Sequence, residues 1–273
     1  AGQAPQPVWQ AATTGVRHRR HTPQLPPARV GPNRPLDAYP AFVPPQVDLK
    51  DVAKTPEFVY ARVCRRRGVV PSCWAGWWNL NRNGVLDVST QGLGDAGVGA
   101  MVDAVVATKT PLVGLNLEGN ELSDGGLVDV LAELKGPSVL HLKSLSLAHN
   151  PIRFHPPPRE GLGTPESVAL AVASMPSLTA LNLSSTKLGA RAVEALCDAL
   201  TSGVARVSHL SLTNVGLGMS GESSCVAVGR LLESTSSLRM LDLAGNAFRQ
   251  QGFAAMSRAL RHPRCRLEQL SFA

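Results

Sequence analysis

The chain has 273 residues, of which 17% are charged and 4% aromatic, and its formal net charge is +7. That length holds one or two domains, and no run of 18 apolar residues appears, so no membrane-spanning helix is expected. Five cysteines at 64, 73, 197, 225 and 265, odd in number and without C-x-x-C spacing, fit reduced thiols better than a disulfide framework. The charge is unevenly spread: residues 1–50 carry six basic and two acidic side chains, residues 51–83 the same, and residues 84–273 fifteen and sixteen. The basicity belongs to the first 83 residues, and the near-neutral remainder makes a poor phosphate-binding surface.

Residues 1–50 contain ten prolines, no sustained periodicity and no acid before Asp37. Such a stretch buries too little apolar area to offset its ordering entropy, so it is expected to be a basic, extended arm that orders against a partner. Trp9, Tyr39 and Phe42 are its apolar anchors, and Arg17, Arg19, Arg20, Arg29 and Arg34 are placed to meet an acidic surface. The alternative is an arm laid back along its own chain.

Residues 51–83 read as a helical cap. Thr55-Pro56-Glu57 supplies an N-cap, a proline at the first helical position and an early acid, and the helix FVYARVCRRR stops at Gly68. Phe58, Ala61 and Cys64 are expected on its apolar side, with Val59, Arg62 and Arg66 on a basic side. Trp74, Trp77 and Trp78 are expected to shield the open apolar end of the segment beyond residue 83, since three tryptophans are costly to leave in water. Arg65, Arg66 and Arg67 admit two readings: a solvated face well placed for the helix dipole, or a second contact with an acidic partner.

From residue 84 to 273 one pattern recurs. LVGLNLEGNEL, from Leu112 to Leu122, has the form L-x-x-L-x-L-x-x-N-x-L. Copies start at Leu142, Leu178, Val207 and Leu238, with a degenerate copy from Asn83 to Leu93 and a half copy from Leu267. The fourth position marks the phase at residues 86, 115, 145, 181, 210, 241 and 270. Leucines at i and i+2 share one face of a short strand, and the asparagine can bond backbone groups where the strand ends. Gln91, Thr186 and Val215 replace that asparagine; threonine can still bond locally, whereas valine cannot, which predicts one less regular turn. Between the strands, Asp95 to Thr108, Asp124 to Leu134, Arg191 to Leu200, Cys225 to Leu232 and Phe253 to Leu260 have helical apolar spacing.

The widest spacing, between the leucines at 145 and 181, comes from PIRFHPPPREGLGTPES, in which Pro156 to Pro158 forbid helix. Insertions in repeat arrays fall on edge loops, so Phe154, His155 and Arg159 are candidate contact residues. The half copy LEQLSFA leaves a last strand that a partner or a continuing chain is expected to cover.

These motifs resemble leucine-rich repeat proteins of the ribonuclease-inhibitor type, over roughly residues 83–273. The resemblance implies an α/β solenoid, curved, with parallel strands on the concave side and helices on the convex side, and it implies a binding habit without a particular ligand. The arrangement Y-x-x-x-C-x-x-x-G-x-x-P, from Tyr60 through Cys64 and Gly68 to Pro71, also resembles the lead-in segment of leucine-rich repeat proteins found in cilia, flagella and centrosomes.

Catalytic and cofactor motifs are not expected. Asn79 to Thr90 mimics a calcium loop but lacks its acids and its terminal glutamate. GLGDAG precedes a repeat helix without a dinucleotide-binding context, and neither His18 with His21 nor His149 with His155 has ligand spacing. Asp87, Asn116, Ser146, Asn182, Ser211, Asp242 and Ser271, between the core leucines, are small and polar, unlike the Trp, Tyr and Arg hot spots of a tight inhibitor. The expected function is that of a non-catalytic scaffold, with no cofactor, metal, membrane or small-molecule substrate. Its expected partners are proteins of a large assembly, tubulin or axonemal proteins in a microtubule-based cilium or flagellum, which the acidic lattice of a microtubule favours. The alternatives are RNA met by the basic arm in a mitochondrial ribosome, and a soluble regulator or inhibitor.

Overall fold

A computed structural model describes residues 55–71, 80, 83–134, 139–152, 168–169, 171–172 and 174–272. The expected arm, Trp74, Trp77, Trp78 and the insertion at 153–167 lie outside them. The first helix, α1 (Pro56–Arg67), precedes an alternation of strand and helix: β1 (Val85–Asp87), α2 (Gly94–Ala107), β2 (Gly114–Asn116), α3 (Asp124–Glu133) and β3 (Ser144–Ser146). The alternation resumes with β4 (Ala180–Asn182), α4 (Gly189–Ser202), β5 (His209–Ser211), α5 (Ser223–Ser234), β6 (Met240–Asp242), α6 (Gln250–Leu260) and β7 (Gln269–Ser271). Among the described residues, no helix is long and apolar enough to cross a membrane.

The strands form one parallel, open sheet in chain order. Leu86, Leu115, Leu145, Leu181, Leu210, Leu241 and Leu270 stand opposite one another across it, so each phase-marking leucine of the sequence occupies the same rung. The long spacing between β3 and β4 is absorbed outside the sheet, since Leu145 still pairs with Leu181. Both leucines of each L-x-L face inward; Leu115, Leu117, Leu145, Leu147, Leu181 and Leu183 are buried with helix residues such as Val98, Met101, Leu127 and Leu196. Parallel strands this short cannot cover their own apolar face, so the helices stack on it and on one another: α1 on α2, α2 on α3, α4 on α5 and α5 on α6.

Side-chain amides stitch the repeats together. Asn150 Oδ1 accepts the N–H groups of Asn120 and Leu122 at 3.0 Å each, while its Nδ2 donates to the carbonyls of Leu117, Leu147 and Ala148. Asn120 and Asn246 make the equivalent bonds in their own repeats. Thr186 reaches only its own turn, giving its hydroxyl to Leu183 O at 2.6 Å. Val215 has no polar atom to offer, and the junction of β4 with β5 uses a Ser184–Ser211 hydroxyl pair at 2.7 Å instead. The turn after β5 is the irregular one: α5 begins only at Ser223, after four further turn residues at 217–220.

The residue before each ladder position is left-handed in all six turns: Thr90, Gly119, His149, Ser185, Asn214 and Gly245 have φ between 52° and 67°. Only two of these are glycine, so the ladder imposes the conformation on side chains that rarely choose it.

In α1, Thr55 caps by accepting the Phe58 N–H at 3.4 Å, and Gly68 closes the helix at φ 69° with its N–H on Arg65 O and Cys64 O. The buried stripe differs from the expected one. Val59, Tyr60, Val63 and Cys64 are buried, while Phe58 is 42% exposed and Ala61 is half-buried. Tyr60 with Val63 and Cys64 makes an i, i+3, i+4 stripe, and this is the side of α1 that is buried where it packs on α2.

Candidate interaction surface

The strand face is the first place to seek a site, and four of its polar side chains are already engaged, while the Ser146 hydroxyl is buried without a hydrogen-bond partner among the described residues. Asp87, Asn116, Asn182 and Asp242 each accept, through Oδ1, the N–H group two residues ahead at 3.0–3.1 Å. These bonds hold the chain as it leaves the strand. Ser146, Asn182 and Ser211, on the middle strands, are buried. The polar residues between the core leucines thus end their strands, and four of them brace the turn that follows. Towards the last strand, a groove of about 320 Å³ is lined by His209, Met240, Asp242, Gln269 and Ser271. Burial pushes the His209 imidazole below its ordinary value, against the opposing charge of Glu268 and a backbone bond with Thr179, so it presents a neutral ring beside the Ser208 hydroxyl.

The basic end of α1 lies against α2 and α3. Arg67 donates to Asp103 Oδ2 at 2.6 Å, Arg66 lies 3.9 Å from the same oxygen, and the Arg67 guanidinium passes so close to Gly99 that a Cβ there would meet Nη1 at 2.8 Å. Arg65 is exposed. Of the arginine run, Arg67 is therefore spent on the cap's own packing, while Arg65 and most of Arg66 face solvent. Trp9, Arg17, Arg19, Arg20, Arg29, Arg34, Tyr39, Phe42, Phe154, His155 and Arg159 lie outside the described residues.

Glu133 completes the cluster. A hydrogen bond shared with the Asp103 carboxyl raises its pKa above the ordinary value, helped by burial and by the Asp103 charge, and Arg67 opposes the shift. Because the folded chain holds this proton more tightly than the unfolded one, the resulting stabilisation is fully present below the ordinary value of 4.5 and is lost as pH rises through the folded value. A Glu133→Gln variant keeps a donor towards Asp103 at every pH and removes the like charge. Urea titrations between pH 4 and 7 should show a flatter pH dependence for the variant, with no loss of stability at pH 7; a steeper dependence would refute the shared proton.

No group of three His, Cys, Asp or Glu side chains is placed to hold a metal among the described residues. The three buried thiols are structural in character: burial pushes Cys197 up to about 12, and Cys64 and Cys225 are also raised by burial, which disfavours a nucleophilic thiolate.

A family profile described as a leucine-rich repeat matches residues 174–197, which span β4 and the first part of α4. A full helix comes after nearly every strand, as in the long repeats that the sequence pattern resembles. The chain has a leucine-rich repeat fold and is similar to proteins of the ribonuclease-inhibitor type. Similar proteins include the mouse NACHT, LRR and PYD domains-containing protein 12, 30% identical over 64% of this chain. The mouse ribonuclease inhibitor is 29% identical over 57% of it, and the pig (Sus scrofa) ribonuclease inhibitor 27% identical over 74%. This chain spans 16%, 31% and 47% of the lengths of those three proteins. Among solved structures, actin-binding site 2 of leiomodin-1 is similar at a TM-score of 0.37 and 13% identity, over 74% of this chain and 90% of that one. Within the leucine-rich repeat frame, the departures at Thr186 and Val215 fall on consecutive repeats, directly after the proline insertion.

Proposed function

We propose that this leucine-rich repeat chain is a non-catalytic scaffold that docks into a large assembly, a microtubule-based axonemal structure, through its basic arm and its solenoid edges. The observation that carries this reading is the strand face: Asp87, Asn116, Asn182 and Asp242 are bonded into their own turns, and Ser146, Asn182 and Ser211 in its middle are buried, which favours contacts elsewhere on the molecule. The excess of basic over acidic side chains in residues 1–83, and the lead-in motif from Tyr60 to Pro71, favour an acidic microtubule lattice. The full chain should co-sediment with microtubules in a salt-dependent way, and removing residues 1–50 should abolish this while leaving the circular dichroism of the repeats intact. Retention of RNA in place of microtubules would select the mitochondrial ribosome, and binding without salt dependence would remove the arm from the mechanism. The likeness to two ribonuclease inhibitors favours a second reading as a soluble inhibitor, which stoichiometric inhibition of ribonuclease A in titration would select.

A further inference from the structure

The near-neutral charge of residues 84–273 conceals a separation that the topology creates. With all strands parallel and in register, the loops that lead into them line one edge of the sheet and the loops that leave them line the other. Among the described residues, the leading-in loops carry Lys109, Lys143, Arg206, Arg239, Arg261, Arg264 and Arg266 against one acid, Glu268. The loops on the opposite edge carry Glu118, Glu121 and Glu222 against Lys187 and Arg249.

The density is greatest at the last three loops, 203–208, 235–239 and 261–268. Main-chain bonds bind these loops to one another: Arg239 N–H donates to Ser208 O at 2.8 Å, and Glu268 N–H donates to Arg239 O at 2.7 Å. Arg239 spends its charge on Glu268 at 3.4 Å. Arg206, Arg261, Arg264 and Arg266 are exposed and have no ion pair among the described residues. The helix dipole accounts for Arg261, the C-cap of α6, but not for Arg206, Arg264 and Arg266, which lie beyond the last turns of helices that end at Ser202 and Leu260, where the dipole's influence has faded.

We infer that this edge is a second docking surface, independent of the arm, for an acidic polypeptide segment in extended conformation. Adjacent strands stand about 4.8 Å apart, and an extended chain presents same-side carboxylates about 7 Å apart, so arginines on neighbouring loops can fork successive Asp or Glu side chains. Leu140 and Val204, exposed on this edge, are aliphatic, and among the described residues its loops carry no Phe, Tyr or Trp of the kind on which single-stranded nucleic acid stacks. The chain's own arm is not the occupant, because residues 1–50 carry six basic and two acidic side chains.

The test is fluorescence anisotropy of a labelled deca-glutamate peptide titrated with the full chain over a salt series. Three charge reversals on the edge, Arg206→Glu, Arg264→Glu and Arg266→Glu together, should weaken binding about tenfold or more. A reversal of equal size in the arm, Arg17→Glu with Arg19→Glu and Arg20→Glu, should leave the edge-dependent binding in place. The neutral set Arg206→Gln, Arg264→Gln and Arg266→Gln, with its thermal melt unchanged, should also lose affinity, which separates loss of charge from misfolding. Unchanged affinity in both edge variants, or loss confined to the arm variant, would overturn the proposal. So would an oligouridylate of the same length that binds more tightly than the peptide and depends on the same three arginines.

Discussion

Replacing Asn150 by leucine should lower the unfolding free energy by about 4 kcal/mol, since it strips the acceptor from two buried N–H groups at roughly 1–3 kcal/mol each. The residue is 2% exposed, and its side chain joins the amides of Asn120 and Leu122 in the preceding repeat to the carbonyls of Leu117, Leu147 and Ala148, just beyond β2 and β3. A leucine of similar size fills the site, so water cannot enter to take over the bonds. Equilibrium urea denaturation reads the loss, and hydrogen exchange at the Asn120 and Leu122 amides places it. Protection that survives at those two amides would mean that the ladder is not what holds the turn. The converse change, Val215→Asn, supplies the missing rung between β4 and β5 and should raise stability by about 1 kcal/mol.

The second large effect is expected at Gly218, in the long turn after β5. This residue sits at φ 76°, and a Cβ there would overlap the carbonyl oxygen of Ala247 in the next repeat and approach Cys225 Sγ to 3.4 Å. Gly218→Ala therefore combines left-handed strain with a collision against backbone that cannot swing aside, and it should cost about 3–4 kcal/mol. Gly68 is the matched control: its φ is 69°, but nothing lies within 4 Å of its Cβ direction, so Gly68→Ala should cost only the strain, about 1 kcal/mol. Thermal melts of the two variants separate the terms. Equal losses would show that the Ala247 contact relaxes and that conformation alone governs the turn.

The repeat frame was legible because its signal is local. Leucines two apart on one strand face, helical apolar spacing between strands and the Thr55 cap of α1 are set within a few residues, and β1 to β7 fall on the phase they mark. The weak turn at Val215 was legible for the same reason, since a residue without polar atoms cannot stitch. The apolar side of α1 was less so, because Phe58, Val59, Tyr60, Ala61, Val63 and Cys64 allow two overlapping stripes, and burial against α2 chooses between them.

Local pattern could not convey which residues meet across repeats. Arg67 and Asp103 are 36 residues apart, and nothing in either neighbourhood says that the arginine lies over Gly99 to reach the carboxylate that Glu133 shares. Thr90, His149 and Ser185 carry no mark of a left-handed backbone, because the conformation comes from stacking one turn on the next. Charge shows the same division. A count along the chain returns near neutrality for the repeats, and only parallel stacking, which sends every leading-in loop to one edge, turns scattered lysines and arginines into a basic border. Linear order was enough for the repeat, its core and its caps, because those depend on periodicity within one chain segment. The buried middle of the strand face and the charged edge required the folded solenoid, because each depends on residues about 30 apart in sequence that become neighbours only when one repeat stacks on the next.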